Sequence, residues 1–171
     1  MLVTKVTSLL ALAACAVAAR SGKQTMSDID NISNHVDHLN GALKNYNGGL
    51  VEALPVAYAL RDTTKSVSDA RAHVEGDEPF ADEDAEATRK AWEQLEPSIV
   101  ETARLGTEKA PQFKKAGAGS VASKMLGELD EERKGLTGDM QRMSESEYQN
   151  FQPHNERING AFDDLMNTYN N

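Results

Sequence analysis

Apolar residues recur along this chain with a helical period. Ile29, Ile32, Val36, Leu39, Leu43, Tyr46 and Leu50 follow one another at steps of three and four, the spacing that lines one face of an α-helix. Ser27 precedes the run as an N-cap, Asp28 and Asp30 stand where the helix dipole favours anions, and Asn47-Gly48-Gly49 ends it. A second stripe runs Val56, Leu60, Thr63, Val67, Ala70, Val74. Pro55 lies near its start, where a missing N–H is harmless, and Gly76-Asp77-Glu78-Pro79 follows it. A third runs Ala85, Thr88, Trp92, Leu95, Ile99, Thr102, with Asp82 as cap. Pro97 inside it clashes with the carbonyl of Glu93 and predicts a kink. Pro111 and then Ala116-Gly117-Ala118-Gly119 predict the next break. Ser120 caps a fourth stripe, Ala122, Met125, Leu129, Leu136, Met140, Met143. Ser144 and Glu147 have capping-box spacing for a fifth, Tyr148, Phe151, Asn155, Ile158, Phe162, Leu165, Tyr169, with Pro153 as a second kink. No segment alternates with period two. The pattern predicts an all-α fold, a single up-and-down bundle of about five helices with short loops.

The N-terminus does not belong to this pattern. Lys5 is followed by an apolar run from Val6 to Ala19, broken only by Thr7 and Ser8. The run is shorter than the roughly 20 residues of a membrane-spanning helix, and small residues close it, as in a secretory signal peptide. Residues 1–19 are therefore expected to be removed, leaving 20–171 as the bundle domain and taking one positive charge away. A competing pattern is Leu12-Ala13-Ala14-Cys15, which has the form of a bacterial lipobox. The C-terminus, Asn170-Asn171, carries no apolar tail of the kind that signals a glycolipid anchor.

Charge and composition narrow the function. The 171 residues carry 18 Lys and Arg against 27 Asp and Glu, a net charge of -9. Nucleic acid demands a basic face, which this balance opposes. It also opposes docking on anionic lipid. Aromatics at 5% give little material for stacking platforms. With Cys15 removed, no disulfide or thiolate remains. A Gly-rich phosphate loop and a GxSxG elbow are both missing, and no histidine has a Glu three residues before it, so the chain reads as a non-enzyme without cofactor. His35 and His38 have a spacing that could share a metal, but no third ligand can be assigned. The acids Asp82, Glu83, Asp84 and Glu86 suit a helix N-terminus. Glu128, Asp130, Glu131, Glu132, Arg133 and Lys134 read as a solvated face. Asn31-Ile32-Ser33 is a glycosylation sequon, with Asn31 off the apolar stripe.

Several short motifs occur in a telling order. They are Asp28-Ile29-x-x-Ile32, then Tyr46-Asn47-Gly48-Gly49, then Leu95 and Thr102. The break from Phe113-Lys114-Lys115 through Ala116-Gly117-Ala118-Gly119 comes next, and Ile158, Phe162 and Tyr169 close the series. In this order and spacing the chain resembles the fungal hydrophobic surface-binding protein A family, which includes the antigenic cell-wall galactomannoproteins. The resemblance implies a secreted protein that adsorbs to hydrophobic solid surfaces or binds fatty acids between its helices, with cell-wall association and cell-wall glycan as further partners. Pro97 and Pro111 depart from the family pattern.

Bundle stripes that do not fully satisfy one another leave an apolar space that a long-chain fatty acid or other lipid can fill. The expected walls are Val36, Leu39, Leu43, Leu95, Ile99, Met125, Leu129, Phe162 and Leu165, placing the space among the first, third, fourth and fifth helices. Thr63, Thr102, His154 and Asn155 are the stripe polar residues that could hold a carboxylate. The alternative is a structural wall protein or lipoprotein with a filled core. For the leader, the expected outcome is a mature protein whose N-terminal sequencing begins at Ala19, Arg20 or close by. A mature chain starting at lipidated Cys15 overturns the signal-peptide reading.

Overall fold

The computed structural model describes the backbone of residues 3–75 and 79–170, with side chains from Gly22 onward except those of Glu145 and Tyr148. Five helices account for almost all of it: α1 (Val3–Asn45), α2 (Ala53–Val74), α3 (Asp82–Lys115), α4 (Gly119–Met143) and α5 (Tyr148–Asn170), with a short 3-10 turn at Glu145–Glu147 before the last. There is no strand among the described residues. The side chains of the expected leader, the stop at Gly76-Asp77-Glu78 and the Tyr148 side chain lie outside the described residues.

The stripes determine how the helices associate. α1 packs against α2 and α3, α2 against α4, α4 against α5, and α5 against α3. The five helices thus form a closed ring in the order α1, α2, α4, α5, α3. Short connections reverse the chain each time, so ring neighbours that are not sequence neighbours run parallel. Asn40 with Thr102, and Lys109 with the Tyr46 carbonyl, set α1 parallel to α3. Trp92 with Asn155, and Tyr169 with the Gly106 carbonyl, do the same for α3 and α5. Arg71 with Glu132, and Arg142 with the Val74 carbonyl, do so for α2 and α4. At one end of the bundle, here the upper end, α1, α3 and α5 terminate while α2 and α4 begin.

α3 ends through a backbone motif. The Gly117 N–H donates to the Lys114 carbonyl at 3.0 Å and the Ala118 N–H to the Phe113 carbonyl at 2.9 Å, with Gly117 at φ +76°. This left-handed cap turns the chain into α4 within three residues. Lys114 donates to the Thr168 carbonyl in the last turn of α5 and Lys109 to the carbonyl of Tyr46, the residue that follows α1, where the helix dipoles favour a cation.

Local signals were less reliable than periodicity. Ser27 lies inside α1, because the residues before it continue as helix, and Leu50 is past its end and 61% exposed. Asp82 is the first residue of α3 and Ala81 the capping position, while α4 is preceded by Ala118, so Ser120 is no cap. Pro111 does not end α3. Both it and Pro97 lie within one continuous helix, as Pro153 does in α5. The capping box at Ser144 does not form. Its hydroxyl is buried without a partner, and Glu147 reaches Arg89 at 2.7 Å instead.

The solvated-face reading of residues 128–134 holds for exposed Glu128, Glu131 and Lys134 but not for Arg133. Arg133 fills the gap in the stripe between Leu129 and Leu136 and is only 5% exposed. It donates to Asp130 at 2.5 Å and to Asn159 of α5 at 2.6 Å, and its guanidinium lies 4.6 Å from the Phe162 ring centre. Burial pushes the Asp130 carboxyl up, but hydrogen bonds from Lys134 and Arg133 outweigh it and hold the group below its ordinary value. On the other side of α5, buried Glu96 of α3 accepts from Arg157 at 2.5 Å and pairs with His154 at 2.5 Å. α5 is thus pinned to each ring neighbour by one buried charge.

The hydrogen bond from Arg157 depresses the Glu96 carboxyl against the opposing effect of burial, with His154 assisting. A carboxyl more acidic folded than unfolded contributes stability that is complete above the ordinary carboxylate range and is lost as pH falls through the depressed folded value. Arg157→Met should therefore lower stability at neutral pH, by leaving Glu96 short of a partner. The gap from wild type should narrow on acidification, and urea unfolding at neutral and acidic pH checks both. Equal gaps at the two pH values would refute the linkage.

Candidate functional site

The two halves of the ring are filled differently. In the lower half, Trp92, Leu95, Leu136, Met140, Phe151 and Ile158 are buried and meet around the axis. In the upper half the inward positions include Ala53, Ala57, Ala103, Gly106, Ala118 and Ala122, and these small residues leave a cavity of about 100 Å³. One water needs about 10–15 Å³ of such space, so several would fit by volume. The lining offers them almost no partners, and an apolar cavity of this kind stays dry. Along α3 the lining extends from Ile99 to Phe113, about 20 Å at the helical rise, so the space is elongated along the bundle.

Each helix contributes a wall. Val36, Leu39 and Leu43 come from α1, Val56 and Leu60 from α2, Ile99 and Phe113 from α3, Met125, Leu126 and Leu129 from α4, and Phe162, Leu165 and Tyr169 from α5. An added Cβ at Gly106 would come 2.9 Å from a terminal methyl of Leu165, so a larger residue here would have to move that cavity-lining side chain. The upper end is roofed by aromatic rings. Tyr46 stacks on Phe113 with centroids 4.2 Å apart, and Tyr169 lies 6.4 Å from Phe113. Burial pushes the Tyr169 phenol well above its ordinary value, and its hydroxyl donates to the Gly106 carbonyl at 3.3 Å. The lining comes nearest to solvent on the side of α2 and α4. There Val121 lines the cavity while 58% exposed, and half-buried Ala57 faces it.

The structure brings most of the expected wall residues together. Val36, Leu39, Leu43, Ile99, Met125, Leu129, Phe162 and Leu165 all line the cavity, while Leu95 lies in the packed lower half. Sequence reasoning left out α2, which supplies Val56, Ala57 and Leu60. It also left out the alanines and Gly106 that create the space. The available signal was small residues at inward-facing helical positions.

The polar candidates divide. Thr63 and Thr102 line the cavity, yet their hydroxyl protons are committed to the Ala59 carbonyl at 2.8 Å and the Ser98 carbonyl at 2.7 Å. His154 and Asn155 are elsewhere. His154 sits between Glu93 and Glu96, and Asn155 accepts from the Trp92 indole at 3.1 Å. Asn31 is exposed on α1, outside the cavity. His35 and His38 gain no third ligand, since no three His, Cys, Asp or Glu side chains among the described residues are placed to hold an ion.

Solved structures share this fold. AfMP4p in complex with palmitic acid superposes with a TM-score of 0.82 at 21% identity, covering 86% of this chain and 99% of that one. Ligand binding domain 1 of the Penicillium marneffei MP1 protein, complexed with arachidonic acids, gives 0.81 at 15% identity over 87% and 98% of the two chains. Domain 2 of the same protein, complexed with multiple arachidonic acids, gives 0.80 at 16% identity over 86% and 94%. At these identities the likeness is one of fold. No curated protein matches the sequence. The sequence model of hydrophobic surface binding protein A matches residues 22–142, from within α1 to the last turn of α4, and by that match the chain belongs to the hydrophobic surface binding protein A family.

Proposed function

We propose that this protein is a noncatalytic carrier of long-chain fatty acids, holding the acyl chain in the axial cavity. The observation that carries the reading is an elongated space lined from all five helices without one charged side chain. The proteins of like fold crystallised with palmitic and arachidonic acids support it. An acyl chain displaces no well-bound water from a dry cavity, and each CH₂ it buries is worth about 0.8 kcal/mol. The headgroup has different needs. An ionised carboxylate without partners is costly in apolar surroundings, and Thr63 and Thr102 have already given their protons to backbone carbonyls. The head therefore stays at the lateral opening beside Val121, where water reaches it, and the two threonine hydroxyls remain in the hydrogen bonds of the wall itself. The same reading includes export, on the leader pattern of residues 1–19. It also includes adsorption to hydrophobic solids and association with the cell wall, on the character of the family.

Titration of the mature protein with palmitate and arachidonate below micelle formation should show saturable binding. Shortening palmitate by two CH₂ groups should weaken it about ten-fold. Ala103→Leu, which puts a branched side chain into the cavity, should reduce affinity at least about ten-fold while leaving urea stability equal or higher. The absence of saturable binding to wild type, or binding indifferent to chain length and to Ala103→Leu, would overturn the reading.

A further inference from the structure

The cavity ends at one level on all five helices. Its lowest lining residues are Val36 of α1, Thr63 of α2, Ile99 of α3, Leu129 of α4 and Phe162 of α5. Contacts between the helices set these five side by side. Trp92 and Asn155 join α3 to α5, and Ile99 and Phe162 each stand seven residues, about two turns, above that bond. The Thr63 hydroxyl lies 3.3 Å from the carbonyl of His35, the neighbour of Val36. Asn40 meets Thr102 one turn above Val36 and Ile99. Arg133 reaches Asn159, which brings Leu129 and Phe162 level one turn higher. Below this floor the stripes continue with Ile32, Val67, Leu95, Arg133 and Ile158, all of them buried. Four members of that layer are apolar and one is a cation.

The cation makes the floor firm at Phe162. The Arg133 guanidinium is fixed by Asp130 and by Asn159, and it lies 4.6 Å from the centre of the Phe162 ring. The ring thus has the cavity on one side and a pinned charge on the other. Pushing the ring downward means displacing that guanidinium from its partners inside the bundle, which leaves buried polar groups unpaired. A cavity of about 150 Å³ takes a benzene, so this one, at about 100 Å³, has to widen before it can hold a long acyl chain. Above the floor the wall includes the flexible thioether of Met125 and the end methyls of Leu165. Widening is therefore cheaper upward and sideways than through Phe162.

We propose that Phe162 sets the longest acyl chain this protein takes up in full, and that Arg133 is a positioning residue acting through the Phe162 ring. The inference rests on the carrier reading. With the carboxylate held near Val121 at the upper end, the methyl end of the chain points down the axis and meets the floor. Each added CH₂ buries apolar area until the methyl reaches Phe162. Beyond that length the extra carbons find no space below, because the Phe162 ring and the buried layer containing Arg133 occupy it.

Titration of the mature protein with the saturated series from laurate to arachidate, below micelle formation, tests the floor. Wild-type affinity should climb about ten-fold with each pair of CH₂ groups and then level off at one length, at palmitate or beyond. Phe162→Leu should move that break to longer chains, so that the first acid past it binds about ten-fold tighter than to wild type while laurate stays within about two-fold. Arg133→Met leaves Asp130 its bond from Lys134 at 2.6 Å and should give a smaller gain, about three-fold, for the same acid. Made in the Phe162→Leu background it should add nothing, since it acts through the ring. Val36→Phe, which adds bulk at the same level from α1, should move the break to shorter chains and decides the matter if Phe162→Leu does not fold. Far-UV circular dichroism and urea unfolding check each variant. A climb unbroken through arachidate, a break that neither variant moves, or a change equal at all chain lengths overturns the proposal. An Arg133→Met effect undiminished in the Phe162→Leu background overturns the positioning role. Saturable binding without a movable break defeats the floor alone, whereas no saturable binding of any acid defeats the carrier reading itself.

Discussion

The space on the axis of a five-helix ring is the constraint from which the rest of this structure follows. At interhelical distances of about 9–10 Å, the centre of such a ring lies about 8 Å from every helix axis. A leucine, methionine or aromatic side chain can reach into that centre, and an alanine cannot. Trp92, Leu136, Met140 and Phe151 fill it in the lower half. Ala53, Ala103, Gly106, Ala118 and Ala122 leave it open in the upper half. One architecture thereby yields a packed foundation and a hollow chamber, the latter where alanines and a glycine take inward positions.

Charge follows the same division. The buried Glu96 group and its partners His154 and Arg157 lie at the level of the packed half, where they tie α5 to α3. Arg133 and Asp130, tied to Asn159, lie where the packed half meets the chamber and attach α5 to α4. Only Phe162 relates Arg133 to the cavity, through the outer face of a ring that lines it. Around the chamber the polar links are lighter, such as Asn40 to Thr102 and the lysine contacts to helix-end carbonyls.

The motifs that carry the family resemblance acquire a physical meaning in this arrangement. Tyr46, Phe113 and Tyr169 are far apart in sequence, yet they stack into the roof over the chamber. The turn that follows Phe113 supplies both the left-handed cap at Gly117 and the small residues at the opening. A glycine–alanine break that looked like a simple helix stop is also part of the wall.

Helical period was readable in the sequence because it is a local property. Ile29 to Leu43, Val56 to Val74 and Phe151 to Tyr169 each repeat at the pitch of the helix that buries them, and the stripes lie in the core as read. Eight of the nine apolar residues chosen from those stripes line the cavity for the same reason. End signals were weaker, since Ser27, Ser120 and Ser144 act only if the chain leaves the helix at that point, which packing and the preceding residues decide. What only the tertiary structure determined was who meets whom. The parallel pairing of α2 with α4 brings Ala57 to Val121, and that of α3 with α5 sets His154 beside Glu96 and far from the chamber. Arg133 is buried because Asp130, Asn159 and Phe162 receive it together, a combination assembled from two helices. A stripe records which face of a helix avoids water, but the contents of the space between five such faces depend on their order around the ring, which no single helix encodes.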